Sequence, residues 1–307
     1  PSELRELKKI RSNQLDVLTE TILTKVKGTS KDILVSFLEA RGTIDQAIRR
    51  TRRFGYLGRC RAASFLGNLG VPQAREPLEK LLRDRKRDVR MIAARGLGQL
   101  GDPSSIPSLF KAIESKKRVV PFGTVLVALM RMGPAGKPLI RSGLSAKGEL
   151  VRAASAEILG LLGAVEYTSD LIDHLEQDPS VDIQIRCARA LGRIGSPRAL
   201  APLRNSLQKQ MPRGLRMISC GALASIGGNE VIDEIAQLVN EEDTQLARAS
   251  AHAASQMGPK GIQVLWRLID TDSPGALIAR EELARTAVKS SNVEEDIRGY
   301  DTWTHFL

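Results

Sequence analysis

From residue 55 onward, apolar positions follow helical spacing, break at a glycine, and begin again. The closing glycines are Gly70, Gly101, Gly133, Gly163, Gly195, Gly227 and Gly258, separated by 31, 32, 30, 32, 32 and 31 residues. A period of that size marks an array of repeats. Four residues before each glycine stand Leu66, Leu97, Leu129, Leu159, Leu191, Leu223 and Ala254; seven before stand Ala63, Ala94, Leu126, Ala156, Ala188, Cys220 and Ala251. These offsets share one helical face, where leucines fill a seam and small residues let neighbouring helices approach. Each glycine falls where a helix C-terminus takes a left-handed residue. Pro72, Pro103 and Pro197 follow two residues later, Pro134 and Pro259 one later, and each is predicted to occupy the first turn of the next helix. A second apolar run then appears, as in Ile106-Pro107-Ser108-Leu109-Phe110 and Ala201-Pro202-Leu203. Every unit reads as a helix pair.

One pair cannot bury its apolar face alone, so successive pairs must stack. The expected fold is all-α: a right-handed α-solenoid, or superhelix, of about seven helix pairs with an N-terminal helical cap. The strings VRMIAARGLGQLGDPSSIPSL, VRAASAEILGLLG and IRCARALGRIGSPRALAPL resemble HEAT repeats of the short kind found in phycobilin lyases. The ankyrin T-P-L-H motif and the tetratricopeptide Trp/Tyr pattern are absent. Expected regions are a cap or docking segment over 1–54, the repeats over 55–290, and an aromatic, acidic tail over 291–307.

The first region is punctuated as helices. Leu4 to Val26 is amphipathic and ends near Gly28, Lys31 to Ala40 follows Thr29-Ser30, and Thr43-x-x-Gln46 has the form of a capping box. It reads either as a shield for the first repeat or as an arm leading from a membrane anchor. The string FLEARGTIDQAIRRTRRFGYLGRCRAASFLGNLG resembles the junction in bacterial HEAT-repeat proteins that carry an N-terminal membrane helix and are encoded beside glycosyltransferases for surface polysaccharide. That resemblance implies a place at the cytoplasmic membrane face and a membrane enzyme as protein partner, and carries over no catalytic residue. The chain opens at Pro1 without a methionine, which leaves room for such an anchor upstream.

Charge sharpens this picture. The formal net charge is +11, yet residues 1–120 hold 26 Lys+Arg against 13 Asp+Glu and the remainder holds 20 against 22. The whole excess lies at one end and is suited to an acidic partner, an anionic membrane or nucleic acid. Aromatics are only 4%, a poor supply of stacking platforms. Three scattered cysteines, Cys60, Cys187 and Cys220, form no framework and suit a reducing compartment such as the cytoplasm.

Arginine recurs near the start of each second helix, about eleven residues before the anchor glycine: Arg59, Arg90, Arg152, Arg186 and Arg216, with Phe122 and Ala247 departing. One reading is a structural ladder that pairs with loop acids such as Asp84, Asp88, Asp178 and Asp182. The other is recruitment of phosphates or an acidic partner. At the basic end the second reading gathers Arg49, Arg50, Arg52, Arg53, Arg59, Arg61, Arg83, Arg85, Lys86, Arg87, Arg90, Lys116, Lys117 and Arg118, whose runs fall at successive inter-helix loops. Stacking would align them along one edge. In the tail, Tyr300, Trp303 and Phe306 read as a cap over the last repeat or as a short docking motif.

Reaction chemistry is hard to find. His174, His252 and His305 lack the adjacent glutamates that a HEAT-repeat deoxyhypusine hydroxylase would need for iron, and zinc spacing is absent. His174, beside Asp173, reads as a surface or satisfied histidine. The cysteines occupy small-residue packing positions and read as inert. No G-x-S-x-G elbow or phosphate loop is present. No catalytic residue, metal or cofactor is expected. The favoured function is a non-catalytic protein-interaction scaffold, membrane-associated in a bacterial assembly; the alternatives are a nucleic-acid-binding solenoid using the basic third and a subunit of the bilin-lyase type.

Overall fold

All seven anchor glycines adopt positive φ, between 56° and 85°, in the computed structural model, which describes residues 28–53 and 55–287; Gly70, Gly101, Gly195 and Gly227 are left-handed helix C-caps as expected, whereas Gly133 has an extended ψ of −156°. Among the described residues the ordered elements are helices, and two compact units divide the chain, one ending at Ile158 and the other beginning at Leu159.

The first unit opens with α1 (Thr29–Ala40) and α2 (Thr43–Arg53), α2 packing on α3 (Tyr56–Leu69). Then follow α4 (Arg75–Leu81), α5 (Arg87–Leu100), α6 (Ile106–Ile113), α7 (Phe122–Arg131), α8 (Lys137–Ser142) and α9 (Glu149–Leu161), inside which the unit boundary falls. The longer helices α3, α5 and α7 pack in a row; the short helices α4 and α6 form a second layer against α5 and α7. The second unit repeats this plan with α10 (Thr168–Gln177), α11 (Val181–Ile194), α12 (Leu200–Asn205), α13 (Arg213–Ile226), α14 (Ile232–Val239), α15 (Thr244–Gln256), α16 (Gly258–Ile269) and a final helix, α17, over 275–287. There α11, α13 and α15 form the row, and α10, α12 and α14 cover it.

The prolines act a step earlier than the sequence suggested. Pro72, Pro103, Pro134 and Pro197 each start a three-residue 3-10 turn that precedes the short helix, whereas Pro259 sits in the first turn of α16 itself. Pro's fixed φ and missing N–H suit both places. In the seam, Leu66, Leu97, Leu129, Leu159, Leu191 and Leu223 are fully buried, as are Ala63, Ala94, Ala156, Ala188, Cys220 and Ala251. Leu126, the bulky exception seven before its glycine, is only partly buried.

How closely the long helices approach is set by a second register. A side chain added at Gly67 would put its Cβ 2.5 Å from the Cα of Gly96, and one at Gly98 would lie 2.6 Å from the Cα of Ala128. In the second unit the same holds for Gly160 against Ala190 (2.6 Å) and Gly192 against Ala222 (2.8 Å). In each case the residue three before one anchor glycine meets the residue five before the next. Between α7 and α9 those register positions carry Met130 and Ile158 instead.

Candidate functional site

The recurrent arginine can be followed from its helix outward. Arg90 sits in the first turn of α5 and is only 7% exposed. Its Nε and Nη2 donate to the carbonyl of Val119 at 3.1 and 3.0 Å, and Nη1 donates to the carbonyls of Asp84 and Arg85 at 3.0 and 3.2 Å. One guanidinium thus clamps the loop before its own helix to the loop of the next repeat, which the planar fork of arginine is shaped to do. Arg59 reaches forward to Asp84 through Nε (2.6 Å) and Nη2 (3.1 Å). Arg152 holds the carbonyls of Ala146 and Lys147, both at 3.1 Å. In the second unit Arg216, 6% exposed, donates to the Leu207 carbonyl at 3.0 Å and forks onto Glu241.

Arg186 needs a correction. It lies nine residues before Gly195, not eleven, and pairs with Asp182 on its own helix at 2.8 Å. The eleventh position is Gln184, whose Nε2 donates to the Asp178 carbonyl at 3.0 Å and so performs the loop clamp with a neutral group. Of the acids expected to meet the ladder, Asp84 pairs with Arg59 and Asp182 with Arg186. Burial works against ionisation of Asp84, but hydrogen bonds from Arg59 and the Lys86 N–H outweigh it and hold its carboxyl below the usual range.

These clamps draw successive loops of the first unit side by side. Lys86 lies over the Tyr56 ring, 5.7 Å from its centre. Arg118 donates to the Arg83 carbonyl at 2.6 Å, and a side chain at Gly148 would collide with the Glu114 carboxylate. Along this loop edge Arg83, Arg85, Lys86, Arg87, Lys116, Lys117 and Arg118 are exposed. Arg49 and Arg52 are exposed on α2, Arg52 within electrostatic reach of Glu76 on α4; Arg50 is half-buried, and Arg61 is exposed on α3. Between α4 and α6 opens a cleft of about 690 Å³ with charges of both signs, including Glu76, Glu79, Lys111 and Lys117, over Leu82 and Ala112. The side chain of Arg53 and the tail residues Tyr300, Trp303 and Phe306 lie outside the described residues.

The sequence did not single out the large apolar side chains on the same edge. Tyr56 (43% exposed) and Leu57 (57%) stand at the start of α3, Leu150 (45%) at the start of α9, and Val119 (46%) in the loop that leads into α7. An apolar residue thirteen or fourteen before an anchor glycine was the available signal.

Groups that could do chemistry are engaged elsewhere. His174 pairs with Asp178 (3.2 Å), one turn on, and not with neighbouring Asp173. His252 Nδ1 meets Glu282 at 2.9 Å, and Ser255 donates to the same carboxylate oxygen at 2.8 Å. The hydroxyl therefore faces the acid and not the imidazole, the wrong order for activating a nucleophile. His305 lies outside the described residues. Cys187 and Cys220 are buried; Cys60 is half-buried and so departs from the inert placing expected of it. Among the described residues no cluster of three His, Cys, Asp or Glu could hold a metal, and no helix is long and apolar enough to cross a membrane.

The model for HEAT repeats matches residues 49–121, 138–218 and 168–256, well over half of the chain. A HEAT repeat-containing taxis protein of Halobacterium salinarum is 30% identical over 139 residues, covering 45% of this chain; the chain spans about a third (32%) of that protein. Among solved structures, the CpcE–CpcF complex of the phycocyanin lyase from Nostoc sp. is similar at 20% identity, covering 76% of this chain and 91% of that one with a TM-score of 0.30. A structure of Kap95p binding RanGDP is similar at 12% identity and a TM-score of 0.50, covering 80% of this chain and 42% of that one. With its anchor glycines, loop-clamping arginines and paired helices, the chain belongs to the HEAT-repeat family.

Proposed function

We propose that the chain is a non-catalytic interaction scaffold that holds a protein partner on its long-helix row and works at the cytoplasmic face of a membrane in a bacterial assembly. The observation that carries this reading is where the chemistry-bearing residues go. Arginines clamp loops, both described histidines pair with carboxylates, and two of the three cysteines are sealed in the core. What remains for others is surface. On the long helices most residues two before the anchor glycine are exposed, among them Gln99, Arg131, Arg193 and Ser225, and so are Arg95 on α5 and Val127 (50% exposed) on α7 six before it. Such a repeating row is the kind of extended surface that stacked repeats offer a partner. The basic loop edge supports placement at an anionic membrane, and among its described residues Tyr56 is the exposed aromatic, which gives little for stacking on bases.

A photo-crosslinking residue placed at Arg95 or at Ser225, both exposed on long helices, tests the proposal in cells. Expected is a discrete protein adduct from those positions and none from Glu76 on the short-helix layer. Absence of a protein adduct at every position, or an adduct to nucleic acid, would overturn it.

A further inference from the structure

We infer that the loop edge of the first unit seats on an anionic lipid bilayer, its lysines and arginines on headgroup phosphates and Leu57, Val119 and Leu150 in the interfacial layer between them. This rests on the membrane placement proposed above and names the chemistry of the contact.

Three observations converge. The apolar side chains recur by register: Leu57 and Leu150 stand thirteen residues before their anchor glycines, Val119 fourteen before. Leu57 and Leu150 therefore occupy the first turns of α3 and α9, and Val119 the loop that enters α7, at one edge of one unit, and all are close to half exposed or more. The loops that bear or flank them are tied together by the Arg90 clamp on Val119, the Arg118 bond to Arg83 and the closeness of Glu114 to Gly148. Finally, the acid that could neutralise the middle loop is turned inward, since Asp84 pairs with Arg59 and accepts from the Lys86 N–H. Asp88 is the exposed carboxylate at the start of α5, against exposed Arg85, Lys86 and Arg87 beside it.

The pattern selects among partners. Nucleic acid would use the cations and gain nothing from leucine and valine. A protein pocket would want its apolar anchors clustered in one desolvated centre. Here single apolar side chains are set a repeat or more apart with basic loops between them, the arrangement that suits a fluid interface where each side chain finds hydrocarbon independently. Each Lys or Arg near an anionic surface raises partitioning about fivefold.

Flotation of the full chain with phosphatidylcholine vesicles, with and without phosphatidylglycerol, tests the inference. Binding is expected to the anionic vesicles alone. Arg85→Glu with Lys117→Glu, both exposed, should lower it by more than about tenfold. Leu57→Ser with Val119→Ser and Leu150→Ser should lower it by about tenfold with every charge kept, and circular dichroism should report an unchanged fold. In a Leu57→Trp variant, brominated lipid should quench the new indole. The inference is overturned if anionic vesicles are not bound, if the triple serine variant binds as well as the parent, or if DNA binds and vesicles do not. A chain that yields protein adducts in cells but ignores vesicles would lose this contact and keep the scaffold.

Discussion

Arg90 and Val119 are joined across 29 residues of sequence by two hydrogen bonds from one guanidinium to one carbonyl oxygen. Removing the side chain would strand that carbonyl and those of Asp84 and Arg85 in a part-buried place. Arg90→Ala is therefore expected to cost about 2–4 kcal/mol. Arg90→Lys should recover only part, because an ammonium cannot reproduce the fork. Arg61→Ala, on the exposed side of α3, should stay within about 0.5 kcal/mol of the parent. Urea midpoints at constant slope measure all three.

Two glycines inside long helices should respond with opposite sign. A Cβ at Gly98 meets the backbone of Ala128, so Gly98→Ala must push α5 and α7 apart and is expected to destabilise by about 1–3 kcal/mol. Gly221, central in α13, has open space around its missing Cβ. Gly221→Ala should stabilise by about 0.5–1 kcal/mol through helix propensity alone. Thermal melts of the two variants would contradict the register if they moved the same way.

Acid should loosen the clamps. Asp84, whose burial is outweighed by its hydrogen bonds, is held below its usual 3.8, and the Arg216 hydrogen bond, ahead of the opposing burial, holds Glu241 below its usual 4.5. Since both folded values are depressed, the stability they contribute is complete above the unfolded values and is lost as pH falls through and below them. Melting temperature should fall as pH drops from about 5 toward 3, and a double Asp84→Asn, Glu241→Gln variant should show a shallower acid slope. An unchanged slope would mean that these pairs contribute nothing.

Thiol chemistry should separate the cysteines. Burial pushes the Cys220 thiol up to about 11 and raises Cys187 as well; Cys60, raised chiefly by its milder burial, retains access to solvent. A thiol reagent near pH 8 should modify Cys60 first in the native chain and reach the other two only in denaturant. Rapid modification of Cys187 would show that the core opens readily.

What the sequence disclosed divides along physical lines. Gly70 or Gly195 was readable because a left-handed turn admits few residues, and Leu66 or Leu97 because a seam every 31 or so residues has no other explanation. The neighbouring glycines Gly67 and Gly98 were visible too, but that they face Gly96 and Ala128 of the next repeat depends on the distance between helices. Arg90 was singled out without its partners, because its acceptors are backbone carbonyls that carry no residue signature. The clamp at Gln184 was missed for a related reason, a neutral amide standing where a charge was sought. Leu57 and Val119 were passed over because apolar residues at a helix start look like core until their exposure is known.

The forward reach of Arg59, Arg90 and Arg216 has a consequence for how such a chain can change length. In each of these three repeats the arginine is the hook and the next repeat supplies the eye, so duplicating such a repeat whole leaves its hook facing an eye. Cutting within a unit orphans a guanidinium on one side and a carbonyl or carboxylate on the other. Duplication in whole-repeat steps is therefore the editing these hooked repeats tolerate, and partial insertions are expected between repeats that carry no forward clamp.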